Sequence, residues 1–172
     1  PHEALARALR PIGDVADKLM VVVDACHSGS PATPAATRAW GGWRAKTAQS
    51  AAACQQISNL RHRGFEAAAR AAGLGLGDVV HIASSRPDEV SFDHADSGGL
   101  ATQSLRRCLM GEARDLDGSG ALSVDELVQC AQSRIERALA GQVNLLPHHL
   151  TVAGNRGFVP DWFARPAALA AA

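Results

Sequence analysis

The sequence predicts an α/β fold, a mostly parallel sheet flanked by helices and incomplete in this chain, with further strands expected upstream of residue 1. Two apolar runs carry that prediction. Leu19-Met20-Val21-Val22-Val23 and Val79-Val80-His81-Ile82-Ala83 are short, almost uninterrupted and rich in β-branched side chains. Such runs suit parallel strands buried on both faces, whereas a strand with one wet face alternates polar and apolar residues. The third observation is that stretches with apolar residues at helical spacing lie before, between and after them, and strands alternating with helices give a sheet covered on both sides. One further strand is expected near the end of the chain. Three strands are few for a stable sheet, which is why the sheet is taken as incomplete.

In order along the chain, His2 to Leu9 is helix-forming, with Leu5 and Leu9 one turn apart and Pro11 and Gly13 ending it. The first strand then runs to Asp24-Ala25-Cys26-His27-Ser28-Gly29, where polar and turn-forming residues crowd together. Residues 30 to 50 read as a loop rich in Pro, Ala, Thr and Gly that carries Trp40 and Trp43, and 51 to 72 as an Ala-rich helix with Arg61, Arg63 and Arg70. Gly73 to Gly77 leads into the second strand, which ends in Ser84-Ser85-Arg86-Pro87-Asp88-Glu89. Gly98 to Glu112 places Leu100, Leu105 and Leu109 on one side of a helix, a short acidic loop follows, and Ser123 to Leu139 is a further helix. His149 to Ala153 is the third strand, and no regular element is expected from Pro160 onward. The chain reads as one domain over 1–172, with 30–77 a variable loop and helix insertion and 115–126 a calcium-loop-like segment.

Composition narrows the function. Lys+Arg and Asp+Glu both total 17 in 172 residues, a net charge of zero, so no basic excess is available to hold a nucleic-acid backbone. No polybasic run adjoins an apolar one, as a membrane surface would require, and nothing reaches the roughly 18 apolar residues of a membrane span. The chain begins with Pro, shows no signal peptide, and its first residues read as the middle of a helix, so it is expected to be a piece of a longer protein. The cysteines, at 26, 54, 108 and 130, include no close pair and lack the short spacings of zinc sites. A disulfide framework is not expected in a chain of this length without a signal peptide. Cys54, Cys108 and Cys130 are therefore read as reduced thiols in a cytoplasmic protein.

Cys26 sits just past a buried strand, where open α/β sheets commonly place reactive residues. A phosphatase loop would need Arg six residues on, and Ala32 stands there. A nucleophile elbow needs small residues two before and two after the nucleophile, and Asp24 fits that poorly. A buried structural cysteine is the remaining alternative.

The surrounding residues point elsewhere. Val-Val-Val-Asp-Ala-Cys-His-Ser-Gly (21–29) closely resembles the catalytic-cysteine motif of the caspase clan, especially its metacaspase and bacterial branches. Ala83-Ser84-Ser85-Arg86-Pro87-Asp88-Glu89-Val90 looks like the segment after the next strand in that family, Gly98-Gly99-Leu100-Ala101-Thr102 like its glycine-led helix, and Leu146-Pro147-His148-His149 to Gly154-Asn155 like the closing segment of the domain. Together they cover most of residues 15 to 160 in the family's order.

What the resemblance implies is a caspase-like sheet and covalent catalysis, with the Cys26 thiolate attacking the scissile carbonyl while an imidazole polarises the thiol and protonates the leaving amine. The Cys26 backbone N–H would help hold the oxyanion. In the family the histidine lies in a Ser-Gly-His-Gly-like loop, and no such motif occurs here. His27 adjoins Cys26, His81 lies within a strand as a packed or paired residue, and His148 and His149 fall in a segment that is not catalytic in the family. The base is thus expected upstream of residue 1, and this chain alone is expected to be inactive. No cofactor is needed for the chemistry.

The resemblance also implies the substrate. Caspases that cut after aspartate usually have Gln two residues before the cysteine. Asp24 stands there, as in the metacaspase branch, where the matching aspartate lines a pocket for Arg or Lys. A partly buried carboxylate pairs well with a guanidinium. Ser84 belongs to the same substrate-binding surface, and Asp88 or Glu89 is the expected second acidic wall. The alternatives are strand termination or capping for Asp24 and an exposed turn for Asp88 and Glu89. Between the strands lie Arg38, Arg44, Lys46, Arg61 and Arg63, either a site of self-cleavage, as the family implies, or a solvated basic surface.

Asp115-Leu-Asp117-Gly-Ser119-Gly120-Ala121-Leu122-Ser123-Val-Asp125-Glu126 fits the twelve-residue EF-hand pattern. Oxygen ligands for calcium would come from Asp115, Asp117, Ser119, the Ala121 carbonyl, Ser123 through water, and Glu126. Its structural alternative is a capping box, Ser123-x-x-Glu126, on the next helix. Three readings follow: an Arg/Lys-directed cysteine endopeptidase completed by its upstream half, an inactive caspase-like interaction module, and a calcium-responsive binding protein.

Overall fold

Five residues, Val79–Ala83, are buried along their whole length, and the architecture is organised around them. The structure, a computed structural model, describes residues 2–25, 42–46, 62–73, 79–86, 89–142 and 145–160. Its elements are α1 (His2–Gly13), β1 (Leu19–Val23), β2 (Trp43–Ala45), α2 (His62–Ala71), β3 (Val79–Ala83), β4 (Phe92–His94), β5 (Gly98–Gly99), α3 (Leu100–Arg107) continuing as a π-helical turn (Cys108–Glu112), α4 (Val124–Leu139) and β6 (Thr151–Gly154).

The main sheet has the order β1-β3-β6. Leu19 to Val23 lie parallel to Val79 to Ala83 in register, so the two apolar runs form neighbouring strands with the bounds the sequence indicates. The third strand begins two residues later than expected, at Thr151, and runs antiparallel to β3. The sheet is therefore mixed. Alternation along β3 divides its contacts: Val80 and Ile82 enter a cluster with Leu105, Leu122, Val124, Leu127, Ala131 and Phe158, while Val79 meets Ala69, Leu5, Leu9 and Leu19. Helices thus cover both faces, as the alternation of elements implies. Each buried Val, Ile or Leu contributes about 1.5–3 kcal/mol, and β3 gathers its share from both sides.

A second sheet, β2-β4-β5, was not visible in the pattern of the sequence. All its pairings are antiparallel. Trp43–Ala45 lies inside the span read as a loop, and Gly98–Gly99 is paired rather than helical, so α3 starts at Leu100. Strands of two or three residues leave too few positions for a period to show. The expected helix over 51 to 72 is described from His62, and its earlier part lies outside the described residues.

Two further expectations are corrected. α1 does not stop at Pro11 but runs through it to Gly13: proline removes its own N–H bond and crowds the carbonyl four residues back, but the turn beyond it is still closed by the Asp14 N–H donating to the Arg10 carbonyl at 2.9 Å. Cys108 and Cys130 are not reduced thiols but a disulfide, with Cα atoms 6.0 Å apart. Packing explains this, since α3 with its π turn lies against α4 and both cysteines join the cluster beside β3. Residue spacing is blind to which helix faces meet. The thiol argument for a cytoplasmic location falls with it. The π turn itself is closed by the Ala113 N–H donating to the Cys108 carbonyl at 3.0 Å, and Gly111 takes the left-handed conformation it needs, φ 119°. Among the described residues, no helix is long and apolar enough to cross a membrane.

Candidate active site

At the carboxyl end of the parallel pair, the Ser84 N–H donates to the Val23 carbonyl at 3.0 Å, extending the ladder beyond β1 and β3. The Ser84 hydroxyl then donates to the Ala25 carbonyl at 3.3 Å and lies 3.4 Å from the Ser91 hydroxyl. Buried Ser84 therefore fixes the backbone immediately before Cys26. Cys26 itself, like Asp88, lies outside the described residues.

Asp24 is the hub of this end of the sheet. Its Oδ1 is 2.5 Å from the Lys46 ammonium, and its Oδ2 accepts from the Thr102 backbone N–H at 3.2 Å and hydroxyl at 2.7 Å. Thr102 stands in the first turn of α3, whose N-cap Gly99 has no side chain to satisfy the free N–H groups there. Asp24 supplies that cap from 78 residues away, and its negative charge suits a helix N-terminus. Burial works against the carboxylate, but the Lys46 and Thr102 bonds outweigh it and hold its pKa below the usual aspartate value. The capping alternative for Asp24 is thus seen, and a cation sits beside it.

That cation is also held by Asp93, whose Oδ1 is 3.1 Å from the Lys46 Nζ, while the ammonium donates to the Asp24 carbonyl at 3.1 Å. Gly99 makes the arrangement possible, because a Cβ there would lie 1.8 Å from the Asp24 Oδ2 and 2.6 Å from the Lys46 Nζ. Asp93, Lys46, Thr102 and Gly99 were not recognised as site residues from the sequence. No pattern marked them, because β2, β4 and β5 are too short for a period to show.

Glu89, one of the two residues expected to supply the second acidic wall, is engaged elsewhere; the other, Asp88, lies outside the described residues. Its carboxylate takes the His149 backbone N–H at 2.6 Å, the His149 ring at 2.5 Å and the Arg86 N–H at 3.2 Å. Burial is again outweighed by these bonds, and its pKa is lowered. The acid that joins Asp24 at the ammonium is Asp93.

Among the described histidines, His81 is enclosed in β3. The His94 ring packs edge-on against Trp43, with centroids 4.9 Å apart. His148 is buried and donates Nδ1–H to the Ser84 carbonyl, which leaves Nε2 as an acceptor with no hydrogen-bond partner among the described residues. Burial pushes its pKa down, against the pull of the Ser84 carbonyl and the Asp24 and Glu89 charges. It is a neutral imidazole bracing the strand end.

The acidic loop brings Asp115, Asp117 and Glu126 together, each with an oxygen within 4.8 Å of the others. Asp115 accepts from the N–H groups of Gly118 at 2.7 Å, Ser119 at 3.1 Å and Gly120 at 2.7 Å. Glu126 accepts from Leu116 at 2.6 Å and from the Ser123 N–H and hydroxyl at 2.8 Å each. Ser123 and Glu126 form a capping box on α4, and the Ser119 hydroxyl donates to the Ala121 carbonyl at 3.2 Å. Of the six expected ligand residues, Asp115, Asp117, Ser119 and Ala121 lie in the loop, Ser123 caps α4 and Glu126 stands in its first turn, and the carboxylates of Asp115, Asp117 and Glu126 collect backbone N–H groups.

No curated protein matches the chain. The model of the caspase domain, peptidase family C14, matches residues 4–151. That span includes β1, β3, the Asp24–Asp93 site and the helices on both faces of the main sheet. With most of its length and the whole described site inside that match, this chain belongs to the caspase-domain family.

Proposed function

We propose that the protein is a cysteine endopeptidase that cuts after lysine or arginine, with Cys26 as nucleophile and Asp24 and Asp93 as the walls of the pocket for the basic side chain. Family membership supports cysteine-peptidase chemistry on a protein substrate. The observation that carries the specificity is the clasped Lys46, an ammonium 2.5 Å from Asp24, which stands two residues before Cys26, and 3.1 Å from Asp93. Two carboxylates around one site favour a cation and reject an acidic residue.

The reaction runs in two halves. The Cys26 thiolate attacks the carbonyl carbon, the carbon–nitrogen bond breaks, and the amine leaves with a proton from an imidazole. Water then attacks the thioester, returning the carboxylic acid and the thiol. Ser84 holds the Ala25 carbonyl, and the oxyanion role is assigned to the backbone N–H of Cys26. The imidazole is assigned to the histidine loop that the family resemblance places upstream.

The test follows cleavage of reporters with Arg, Lys or Asp before the scissile bond, in the full-length parent protein that carries the upstream histidine loop and in its Cys26→Ala variant. Cleavage after Arg and Lys that vanishes in the variant is expected. Cleavage after Asp, or activity that survives Cys26→Ala, would overturn the reading. An inactive interaction module is the second reading, favoured by the saturation of Asp24 by its own chain; no cleavage of any reporter would select it. For the acidic loop we propose weak, optional calcium binding with Kd of about 10⁻⁴–10⁻³ M. The convergence of its carboxylates supports this, and an unchanged Tm in 5 mM calcium would refute it.

A further inference from the structure

Lys46 reaches the acid pair as the end of an extended segment, and that segment is bound as a peptide would be. β2 lies antiparallel to β4, with Trp43 opposite His94, Arg44 opposite Asp93 and Ala45 opposite Phe92. The Lys46 N–H continues the ladder, donating to the Ser91 carbonyl at 2.9 Å. β5 occupies the other side of β4, so β2 fills the one edge of β4 left for pairing. Side chains alternate accordingly. Trp43 and Ala45 pack against the cluster of Phe92, Leu100 and Leu145, Arg44 is exposed, and the Lys46 side chain is 13% exposed with three acceptors around its ammonium. Main-chain pairing for affinity and alternate side-chain pockets for selection are the two components of strand-addition recognition.

We propose that Trp43–Lys46 is an internal occupant of the substrate groove, which a substrate must displace, and that it displays the peptide pattern the groove accepts: aromatic, any residue, small, then Lys or Arg. The proposal rests on reading Asp24 and Asp93 as the pocket for the basic residue. An occluding segment lowers the apparent affinity of a competing peptide by the fraction of time the groove is open. A groove closed about nine-tenths of the time weakens peptide binding about ten-fold.

The experiment measures binding of a fluorescent Trp-Arg-Ala-Lys amide by anisotropy to the protein carrying Cys26→Ala, which prevents cleavage. Lys46→Ala and Lys46→Gln are added to this background, with Lys46→Arg as the variant that keeps the occupant. The expected result is binding about ten-fold tighter or more in Lys46→Ala and Lys46→Gln, unchanged binding in Lys46→Arg, and none of a Trp-Arg-Ala-Asp amide. Lys46→Gln, which retains a donor toward Asp24, is read if Lys46→Ala does not fold. Equal affinity in the parent and Lys46→Gln would overturn the occupant while leaving the basic pocket standing. Failure of the lysine peptide to bind any folded variant would overturn both.

Discussion

Replacing Asp24 by Asn tests the centre of the site without changing its shape. The amide oxygen can still accept from the Thr102 N–H and hydroxyl, which now hold the Asp24 Oδ2 at 3.2 and 2.7 Å. What is lost is the charge 2.5 Å from the Lys46 ammonium, in a pair whose side chains are 13% and 12% exposed. Removing one partner of a buried ion pair costs about 3–5 kcal/mol. Asp93 and the Asp24 carbonyl remain beside the ammonium and offset part of this, so the expected loss is about 2–3 kcal/mol. For a chain of this size that lowers Tm by about 4–12 °C. Thermal unfolding at pH 7 reads it, and a double-mutant cycle with Lys46→Met should give a coupling of about 1.5 kcal/mol or more. The sign of the pH dependence follows from the lowered pKa of Asp24 in the folded state. Its stabilisation is complete above the unfolded value, about pH 4, and is lost as pH falls through the folded value. The gap between parent and variant should be constant from about pH 5 to 8 and close in stronger acid. A Tm within 1 °C of the parent at pH 7, roughly the assay's precision, or a coupling under about 0.5 kcal/mol, would refute the pairing.

Gly99→Ala drives a Cβ to 1.8 Å from the Asp24 Oδ2 and should destabilise the protein by about 2 kcal/mol or more, measured by urea unfolding. Glu126→Gln weakens the capping box and the loop bonds to Leu116 and Ser123 and should cost about 1–2 kcal/mol at pH 7. Glu126 has a lowered pKa, because those bonds outweigh burial, so this difference should fade in acid, which a denaturant series at several pH values would show. Cys108 and Cys130 should be inert to a thiol reagent in the unreduced, denatured protein and react after reduction, read by mass spectrometry of their peptides, given the bond between them.

Those elements that announce themselves by composition were legible in the sequence. β1 follows from five consecutive apolar residues and β3 from four interrupted only by His81, and α4 from its capping box and periodic leucines and isoleucine. Asp24 stood out as a candidate because it lies within the cysteine motif. Its bonds were not, since Lys46 and Thr102 approach it from distant segments. The same blindness hid the disulfide, which depends on two helix faces meeting. Glu89 and Asp93 are both acids a few residues past β3, and only the fold separates the one that clamps His149 from the one that meets Lys46.

The span of these contacts also orders their assembly. α3, the acidic loop and α4 close on one another within about forty residues, reinforced by a capping box and a disulfide. By contrast, Leu19 pairs with Val79, about sixty residues away, and Asp24 reaches Thr102 across 78. Loop-closure entropy must be overcome before distant contacts can form, so the helical hairpin is expected to fold first and the Asp24 contacts late. Pulse-labelled hydrogen exchange during refolding should protect α3 and α4 before β1 and β3; simultaneous protection would contradict this order. On the proposed function, a half-folded chain would carry a cysteine but no acid pair to align a substrate, and cutting would be restrained until the pairing of Asp24 with its distant partners is complete.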